Sequence, residues 1–369
     1  MSCIFLRTCI KLQRLLNSQT VREAILYEKI SDDTVKCGLC ERRCVIPNGQ
    51  RGFCRTRLNI DGKLYTLTYG DLSALESRPI EIKPFFHYWP GSTALTFSTW
   101  SCNFECRWCQ NHHLSRRAPD PSAAAFYSQE KVLKQALMRK DKGLCASFQE
   151  PTLLTDWVLQ LFKAGSRRGL YCCYVSNGYM TLQALRMLRD SGMDGIKIDI
   201  KGDAEVYRRY CGGIDVEKVW RNIREAKKMG LHVEVVNLIV TGVNDDESCL
   251  RWIVERHLKE AGAETPLHFT RYYPAYKFSN PPTKIETLEK AYQIARKAGV
   301  QYPYIGNVPG HRYENTYCSE CGEPLIRRFG YRIVKYKITP KKRCPKCGHR
   351  IPIVGNYTRR GKTFGLPII

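Results

Sequence analysis

The hydrophobic pattern of residues 93–306 alternates between short apolar runs and amphipathic segments. The short runs are rich in β-branched and aromatic residues and predict six strands: ALTFST (94–99), LCASFQ (144–149), LYCCYVS (170–176), GIKIDI (195–200), HVEVVNLIV (232–240) and LHFTRYY (267–273). The intervening segments have helical periodicity, with Ser128 and Thr181 as predicted caps and Gly230 and Gly299 as stops. Strands alternating with helices predict an α/β fold with a parallel sheet, and six units indicate a partial (β/α)6 TIM-like barrel.

Composition divides the chain into four segments. We interpret them as a leader, amphipathic or disordered (1–20), a small N-terminal metal-binding region with four cysteines (21–92), the barrel (93–306) and a basic C-terminal zinc-ribbon-like region (307–369). No run approaches the roughly 18 apolar residues of a membrane span. Arg7 and Lys11 interrupt the leader too early for a signal-peptide core. We therefore expect a cytoplasmic protein with no membrane partner.

The charge is strongly positive and unevenly distributed. The formal net charge is +24, and after Glu323 there is no acidic residue but thirteen Lys and Arg. Such a field attracts nucleic acid, acidic proteins or anionic substrates. A basic proteome background produces the same bias, so charge alone does not choose between these partners.

Cysteine usage is more informative than charge. Eighteen cysteines in a chain with no secretory signal favour metal ligation over a disulfide framework, and eleven of them fall into three tight clusters. The other seven lie outside any ligand spacing. Of these, Cys145, Cys172 and Cys173 are interpreted as small hydrophobes within strands.

The central cluster, CxxxCxxC, follows the first predicted barrel strand and comprises Cys102, Cys106 and Cys109. Thiolates are soft ligands for iron–sulfur clusters or zinc. Three of them can hold three corners of a [4Fe-4S] cubane and leave the fourth iron open for chemistry. The alternative is a structural zinc site completed by His112 or His113.

The outer clusters have four cysteines each. The N-terminal set has CxxCxxxC–x9–C spacing, predicts either a zinc site or an auxiliary iron–sulfur cluster, and comprises Cys37, Cys40, Cys44 and Cys54. The C-terminal set has two CxxCG knuckles, predicts a zinc ribbon, and comprises Cys318, Cys321, Cys344 and Cys347.

The central motif, with Trp108 just before its last cysteine, resembles the signature of the radical S-adenosylmethionine (SAM) superfamily. The resemblance implies a partial barrel, a [4Fe-4S] cluster and SAM chelated to the open iron through its amino and carboxylate groups. One electron from a reductant then cleaves SAM to a 5′-deoxyadenosyl radical, which abstracts hydrogen.

Two further strand ends resemble elements of this superfamily. Glu150 and Pro151 resemble the end of a Gly-Gly-Glu-Pro element, which implies that Glu150 binds the SAM amino group. Ser176 and Asn177 resemble a Thr-Asn-Gly element, which implies that they lie near the ribose or carboxylate of SAM. The alternatives are a helix-terminal acid and an Asn-Gly turn.

The fourth predicted strand ends in Asp199 and Lys201, which alternation places on one face. Lys201 is a reasonable partner for the SAM carboxylate, and Asp199 for Lys201 or a bound cation. A plain salt bridge between the two residues is the alternative.

Longer segments resemble one subgroup, the radical enzyme of the AmmeMemoRadiSam system, related to pyruvate formate-lyase activating enzymes. They are RGFCRTR, PIEIKPFFHYWPGS, CNFECRWCQN, QEPT, SNGY, DIKG, TGVNDDE, HFTRYYPAYK and GNVPGHRYENTYCSECG. The resemblance implies Memo-type partner proteins. Activating enzymes carry Pro-Tyr-His where this chain has Pro274, Ala275 and Tyr276, and often Asp in place of Val175. Both departures argue against glycyl-radical activation in the strict sense.

Three functions follow as hypotheses. The first is an activase-like radical SAM enzyme that abstracts hydrogen from an unidentified protein or small molecule. The second is a radical SAM enzyme that modifies RNA, which the basic tail and zinc ribbon favour. The third is a non-enzymatic zinc or iron–sulfur binding protein.

Overall fold

The computed structural model describes residues 13–359, so residues 1–12 of the predicted leader and residues 360–369 lie outside it. Residues 13–16 are helical, and Leu15 and Leu16 pack against the cluster around Val21. The N-terminal part then forms two small antiparallel sheets, ordered β1-β6-β5 and β2-β3-β4. Their strands are β1 (Arg22–Glu23), β2 (Tyr27–Lys29), β3 (Thr34–Cys37), β4 (Val45–Pro47), β5 (Arg57–Ile60) and β6 (Lys63–Thr66).

A sheet of eight strands follows, within residues 13–359. Its strands are β7 (Ala74–Pro79), β8 (Thr93–Ser98), β9 (Gly143–Ala146), β10 (Tyr171–Ser176), β11 (Gly195–Ile200), β12 (His232–Ile239), β13 (Leu267–Arg271) and β14 (Pro303–Gly306). Spatial order follows chain order from β7 to β14. Strands β8 to β14 are parallel, and β7 pairs antiparallel with β8. This arrangement confirms the predicted partial barrel.

The sheet is wider than the six predicted strands. Strand β14 has only four residues and begins at Pro303, so its hydrophobic signal is short. Strand β7 is half-buried and mixes polar with apolar residues, so the hydrophobic pattern of the sequence did not predict it as a strand of this sheet. The predicted division between residues 92 and 93 therefore separates two strands that pair with each other.

The helices lie between the parallel strands. They are α1 (His112–Ser115), α2 (Gln129–Met138), α3 (Thr155–Ser166), α4 (Leu182–Asp190), α5 (Ala204–Tyr210), α6 (Val216–Lys228), α7 (Glu247–Glu260) and α8 (Ile285–Ala298). The predicted caps are present: the Ser128 and Thr181 side chains accept hydrogen bonds from backbone N–H groups of the first turn, and Gly299 ends α8 with a φ of 105°. In the described part of the chain, every helix is too short or too polar to cross a membrane.

The C-terminal region contributes a small antiparallel sheet, ordered β15-β16-β17, and a core that contains Cys318 and Cys344. Its strands are β15 (Thr316–Tyr317), β16 (Pro324–Phe329) and β17 (Arg332–Tyr336). The buried guanidinium of Arg328 donates from Nη2 to the backbone oxygen of Phe86 at 2.9 Å and lies over the Phe86 ring. This contact attaches the region to the segment between β7 and β8.

A buried carboxylate holds the same segment to the N-terminal ends of the barrel strands. Glu234 on β12 accepts hydrogen bonds from the backbone N–H groups of Phe86 and His87 at 3.0 and 2.8 Å. It also contacts the imidazoles of His232 and His268 at 2.9 and 2.7 Å. Burial opposes ionisation, but these hydrogen bonds outweigh it and hold the pKa of Glu234 well below its usual range.

We expect Glu234→Ala to lower the free energy of unfolding by about 3–5 kcal/mol, because buried donors lose their acceptor. The control is Glu28→Ala on β2, whose exposed carboxylate pairs with Lys36 at 3.0 Å and contributes less than about 1 kcal/mol. Anaerobic chemical denaturation measures both variants. Equal losses in the two variants would contradict the anchoring role.

Candidate active site

The three central cysteines lie in the loop that leaves the C-terminal end of β8. The Cys102 Sγ accepts a hydrogen bond from the Phe104 backbone N–H at 3.4 Å, and the Cys109 Sγ lies 3.2 Å from the Ser115 Oγ. All three thiols line one cavity of about 390 Å³. These polar contacts help to orient the Cys102 and Cys109 sulfurs within the loop.

The same cavity gathers the other predicted site residues at successive strand ends. Its lining includes the thiols together with Trp108, Glu150, Ser176, Asn177, Asp199 and Lys201. They meet because the carboxyl ends of parallel strands lie at one edge of the sheet. The structure brings these residues together, and their individual roles toward a cofactor stay predictions.

Glu150 ties two strand ends together. Its Oε1 accepts hydrogen bonds from Thr152 N at 3.0 Å, Thr152 Oγ1 at 2.5 Å and Ser176 Oγ at 2.8 Å. Its Oε2 accepts one from Asn177 N at 2.8 Å. Burial raises the pKa of Glu150, and the donors oppose that rise. Glu150 thus caps a single-turn helix, Pro151–Leu154, and also positions Asn177 over the cavity.

Asn177 reaches the cysteine loop directly. Its Nδ2 donates to Asn103 Oδ1 at 2.7 Å and lies 3.9 Å from the Cys102 Sγ. Its own Oδ1 accepts from Tyr179 N at 3.0 Å. The predicted Asn-Gly turn is therefore present, and the amide it presents contacts the first cysteine of the motif.

Asp199 lies between two lysines. Lys201 Nζ is 2.9 Å from Asp199 Oδ2, and Lys197 Nζ donates to Oδ1. Burial alone would raise the pKa of Asp199, but the two ammonium groups lower it to about 2. Burial opposes the charge on Lys201, and Asp199 outweighs it and raises the pKa of Lys201. Two lysines thus share one carboxylate, which leaves positive charge for an anionic ligand.

The Trp108 side chain packs beneath the cysteine loop. It is buried, and its ring lies 5.8 Å from the rings of both Tyr210 and Phe278. His112, a candidate zinc ligand, stacks on Tyr276 with ring centroids 5.0 Å apart, and its Nδ1 is 3.3 Å from the Cys109 backbone oxygen. These contacts orient the His112 ring toward protein groups rather than toward a thiol tetrahedron.

The sequence patterns did not indicate four residues that line the cavity or lie beside its thiols. Lys197 follows the same alternation as Asp199 and Lys201, so its signal was available. Lys83 lines the cavity over the Phe148 ring, and burial lowers the pKa of Lys83 to about 8. The turn of the β16–β17 hairpin brings Tyr331 to the same cavity. No local pattern marks Tyr331, because sixty residues separate it from the end of β13.

Cys211 is the fourth such residue. It is fully buried after α5, and its hydrogen bond with Cys106 is the main cause that lowers the pKa of the Cys106 thiol. Sequence spacing had left Cys211 outside every cluster. The fold therefore places a fourth thiol beside the predicted triad.

The cavity fits a [4Fe-4S] cluster with SAM better than a single zinc ion. Among residues 13–359, only one group of three or more potential metal ligands has its ligand atoms all within 4.8 Å of one another. It consists of Cys318, Cys321, Cys344 and Cys347. The central thiols are not so gathered, as suits ligands of separate iron atoms. Gln149 also lines the cavity, and its Oε1 and Nε2 are buried with no hydrogen-bond partner in the described chain. A polar ligand would satisfy both atoms.

The C-terminal cysteines have the spacing of a single-ion site. The Cys318 and Cys347 sulfurs are 3.6 Å apart, and those of Cys321 and Cys344 are 3.7 Å apart. Four thiolates around one tetrahedral zinc ion have this geometry. The zinc itself stays a prediction. The N-terminal cysteines line a separate, smaller cavity beside Asn103.

Comparisons with known proteins identify similar sequences and a similar fold. The model of the Radical SAM superfamily matches residues 98–255. An uncharacterized protein of Methanocaldococcus jannaschii is 40% identical over 337 residues, which span 90% of this chain and 100% of that protein. A probable GTP 3′,8-cyclase of Archaeoglobus fulgidus is 30% identical over 156 residues, 40% of this chain and 49% of that one. A domain of a pyruvate-formate lyase-activating enzyme from Bacteroides vulgatus aligns with 18% identity and a TM-score of 0.39, over 45% of this chain and 99% of that domain.

We expect Cys106→Ala to lose about four irons per chain relative to the unmodified protein, whereas Cys211→Ala loses none, because Cys211 supports the loop without ligating the cluster. The control is Cys172→Ala, a buried strand cysteine. Iron analysis after anaerobic reconstitution measures all three. Equal iron loss in Cys211→Ala would mean that four thiolates close the site.

Proposed function

The chain belongs to the radical SAM superfamily and is an enzyme, and we propose that its Cys102, Cys106 and Cys109 hold a [4Fe-4S] cluster at which SAM is cleaved. The substrate is an unidentified protein or small molecule, from which hydrogen is abstracted. One observation carries the proposal: three thiols line a cavity ringed by polar strand ends, whereas the thiol of Cys211, buried beside Cys106, is not part of its lining. When bound, the cluster and SAM supply a carbon-centred radical.

The polar strand ends provide complementary partners for the methionine moiety of SAM. The positive charge around Lys201 and Lys197 would bind its carboxylate. Gln149, whose side-chain Oε1 and Nε2 have no hydrogen-bond partner among residues 13–359, is available to bind the amino or ribose groups. The lone pairs of Glu150 already accept four hydrogen bonds from the chain. Its main contribution is therefore to hold Asn177 and Ser176 in place.

Apolar groups form part of the cavity wall near the thiols. Trp108 and Phe104 are buried beside the cysteine loop, and Val236 and Leu238 also line the cavity. With SAM and a substrate bound, these groups would help to exclude water and so protect a reactive radical from side reactions. Tyr331 and Lys83 lie where a substrate would approach.

The activase-like role belongs to this proposal and rests on the resemblance of the chain to the AmmeMemoRadiSam group. A low-potential one-electron reductant is required by the chemistry of the superfamily.

The first test is SAM cleavage by the anaerobically reconstituted, reduced protein. We expect 5′-deoxyadenosine and methionine to form, and Cys102→Ala, Cys106→Ala or Cys109→Ala to abolish both products. Cys172→Ala is expected to leave them unchanged, because its thiol packs in the core away from the cavity. Cleavage that persists in the three variants would overturn the cluster assignment.

A second test separates cofactor binding from a plain salt bridge at Lys201. We expect Lys201→Met to raise the Kd for SAM roughly 10- to 100-fold, the effect of one lost charged hydrogen bond. Iron content should stay constant. Lys228→Met, an exposed lysine paired with Glu225, is the matched control. An unchanged Kd in Lys201→Met would restrict Lys201 to its salt bridge with Asp199.

A further inference from the structure

The N-terminal cysteines enclose a second buried cavity. It lies between β3 and β5 and the loops around them, and its volume is about 10 Å³, roughly that needed by one water molecule. Its lining includes Cys37, Cys40, Cys44 and Cys54, with Leu39, Ile46 and Leu153 as apolar walls. Three of the four cysteines are buried, so this is an interior site.

The spacing of the N-terminal sulfurs does not match that around a zinc ion. At Zn–S distances of about 2.3 Å, four sulfurs around the metal lie within roughly 4 Å of one another. The C-terminal cysteines have that compact arrangement. The N-terminal sulfurs, among the residues that the structure describes, form no such group within 4.8 Å. The same chain thus contains one compact and one expanded set of four thiols.

Unpaired donors border the expanded set. Arg57 is buried and its Nη2 donates to Asp156 Oδ2 and to the Leu153 backbone oxygen, but its Nε and Nη1 have no partner within residues 13–359. The Asn103 Nδ2 is likewise buried and unpaired, and the Asn103 side chain approaches the Cys40 thiol. Each buried donor left unsatisfied carries a desolvation penalty that a hydrogen-bond acceptor would remove.

Iron–sulfur clusters accept such donors. A cluster places thiolate and sulfide sulfurs around its core, and hydrogen bonds to those sulfurs stabilise it and tune its potential. The guanidinium of Arg57, which lines the same cavity, also brings a positive charge toward the four thiolates in this apolar pocket. The number of ligands, the spacing of their sulfurs and the neighbouring donors and charge therefore all agree with a cluster.

We propose that Cys37, Cys40, Cys44 and Cys54 coordinate a second iron–sulfur cluster, with Arg57 and Asn103 as hydrogen-bond donors to its sulfurs. Asn103 lies next to Cys102 in the chain, and its Oδ1 accepts from Asn177 in the active-site cavity. One asparagine thus separates the second cluster from the active-site cysteines. The proposal does not depend on SAM cleavage.

The test uses the full chain with Cys102→Ala, Cys106→Ala and Cys109→Ala combined, which removes the central ligands. After anaerobic reconstitution we expect two to four irons per chain, roughly, with an equal amount of sulfide, and an electron paramagnetic resonance signal on reduction with dithionite. Absence of iron and sulfide, whether with zinc or without any metal at the N-terminal site, would overturn the proposal.

Single substitutions in the otherwise unmodified chain locate the metal. Cys44→Ser, at the least buried of the four positions, is expected to lose iron and sulfide while keeping zinc. Cys321→Ser in the compact set is the matched control and should lose zinc while keeping iron. Zinc loss in both variants would assign a structural zinc ion to the N-terminal cavity. Because SAM cleavage is measured separately, its failure leaves this result intact.

Discussion

Seven parallel strands end at one edge of a single sheet, and the candidate active site depends on that constraint. Residues far apart in the chain, from Cys102 after β8 to Asn307 after β14, line one cavity because their strands share a direction. The opposite ends of the strands are closed differently. There the carboxylate of Glu234 binds the segment that leads into β8, and Arg328 attaches the C-terminal region to that segment. One end of the barrel is stabilised so that the other can remain open.

Each buried charge at the open end of the barrel is stabilised by residues that lie directly beside it. Asp199 stabilises two lysines, and Glu150 is surrounded by hydrogen-bond donors rather than by cations. Buried charges persist only where such partners exist. The surplus of positive charge beside Lys201 therefore faces the cavity, where it is complementary to the carboxylate of an amino-acid ligand such as SAM.

The two sets of four cysteines show that metal sites are distinguished by the distances between their sulfur atoms rather than by the number of residues between the cysteines. Both sets contain a CxxC pair and two further thiols, and the sequence left zinc and iron–sulfur ligation open for the N-terminal one. The compact C-terminal sulfurs match a single ion, whereas the N-terminal sulfurs surround a cavity with the unpaired donors of Arg57. Sulfur-to-sulfur distance depends on how loops fold, and residue spacing constrains it weakly.

The sequence by itself determined the alternation of strands and helices, the helix caps at Ser128 and Thr181, and the cysteine triad, because these are local patterns of hydrophobicity, capping and ligand spacing. It also placed Asp199 and Lys201 on one face, since alternation along a strand is local too. Only the tertiary structure decided that β7 and β14 extend the sheet, that Cys211 lies against Cys106, and that Tyr331 reaches the cavity. Those contacts join segments distant in the chain, and their energy comes from packing and burial that no local pattern records.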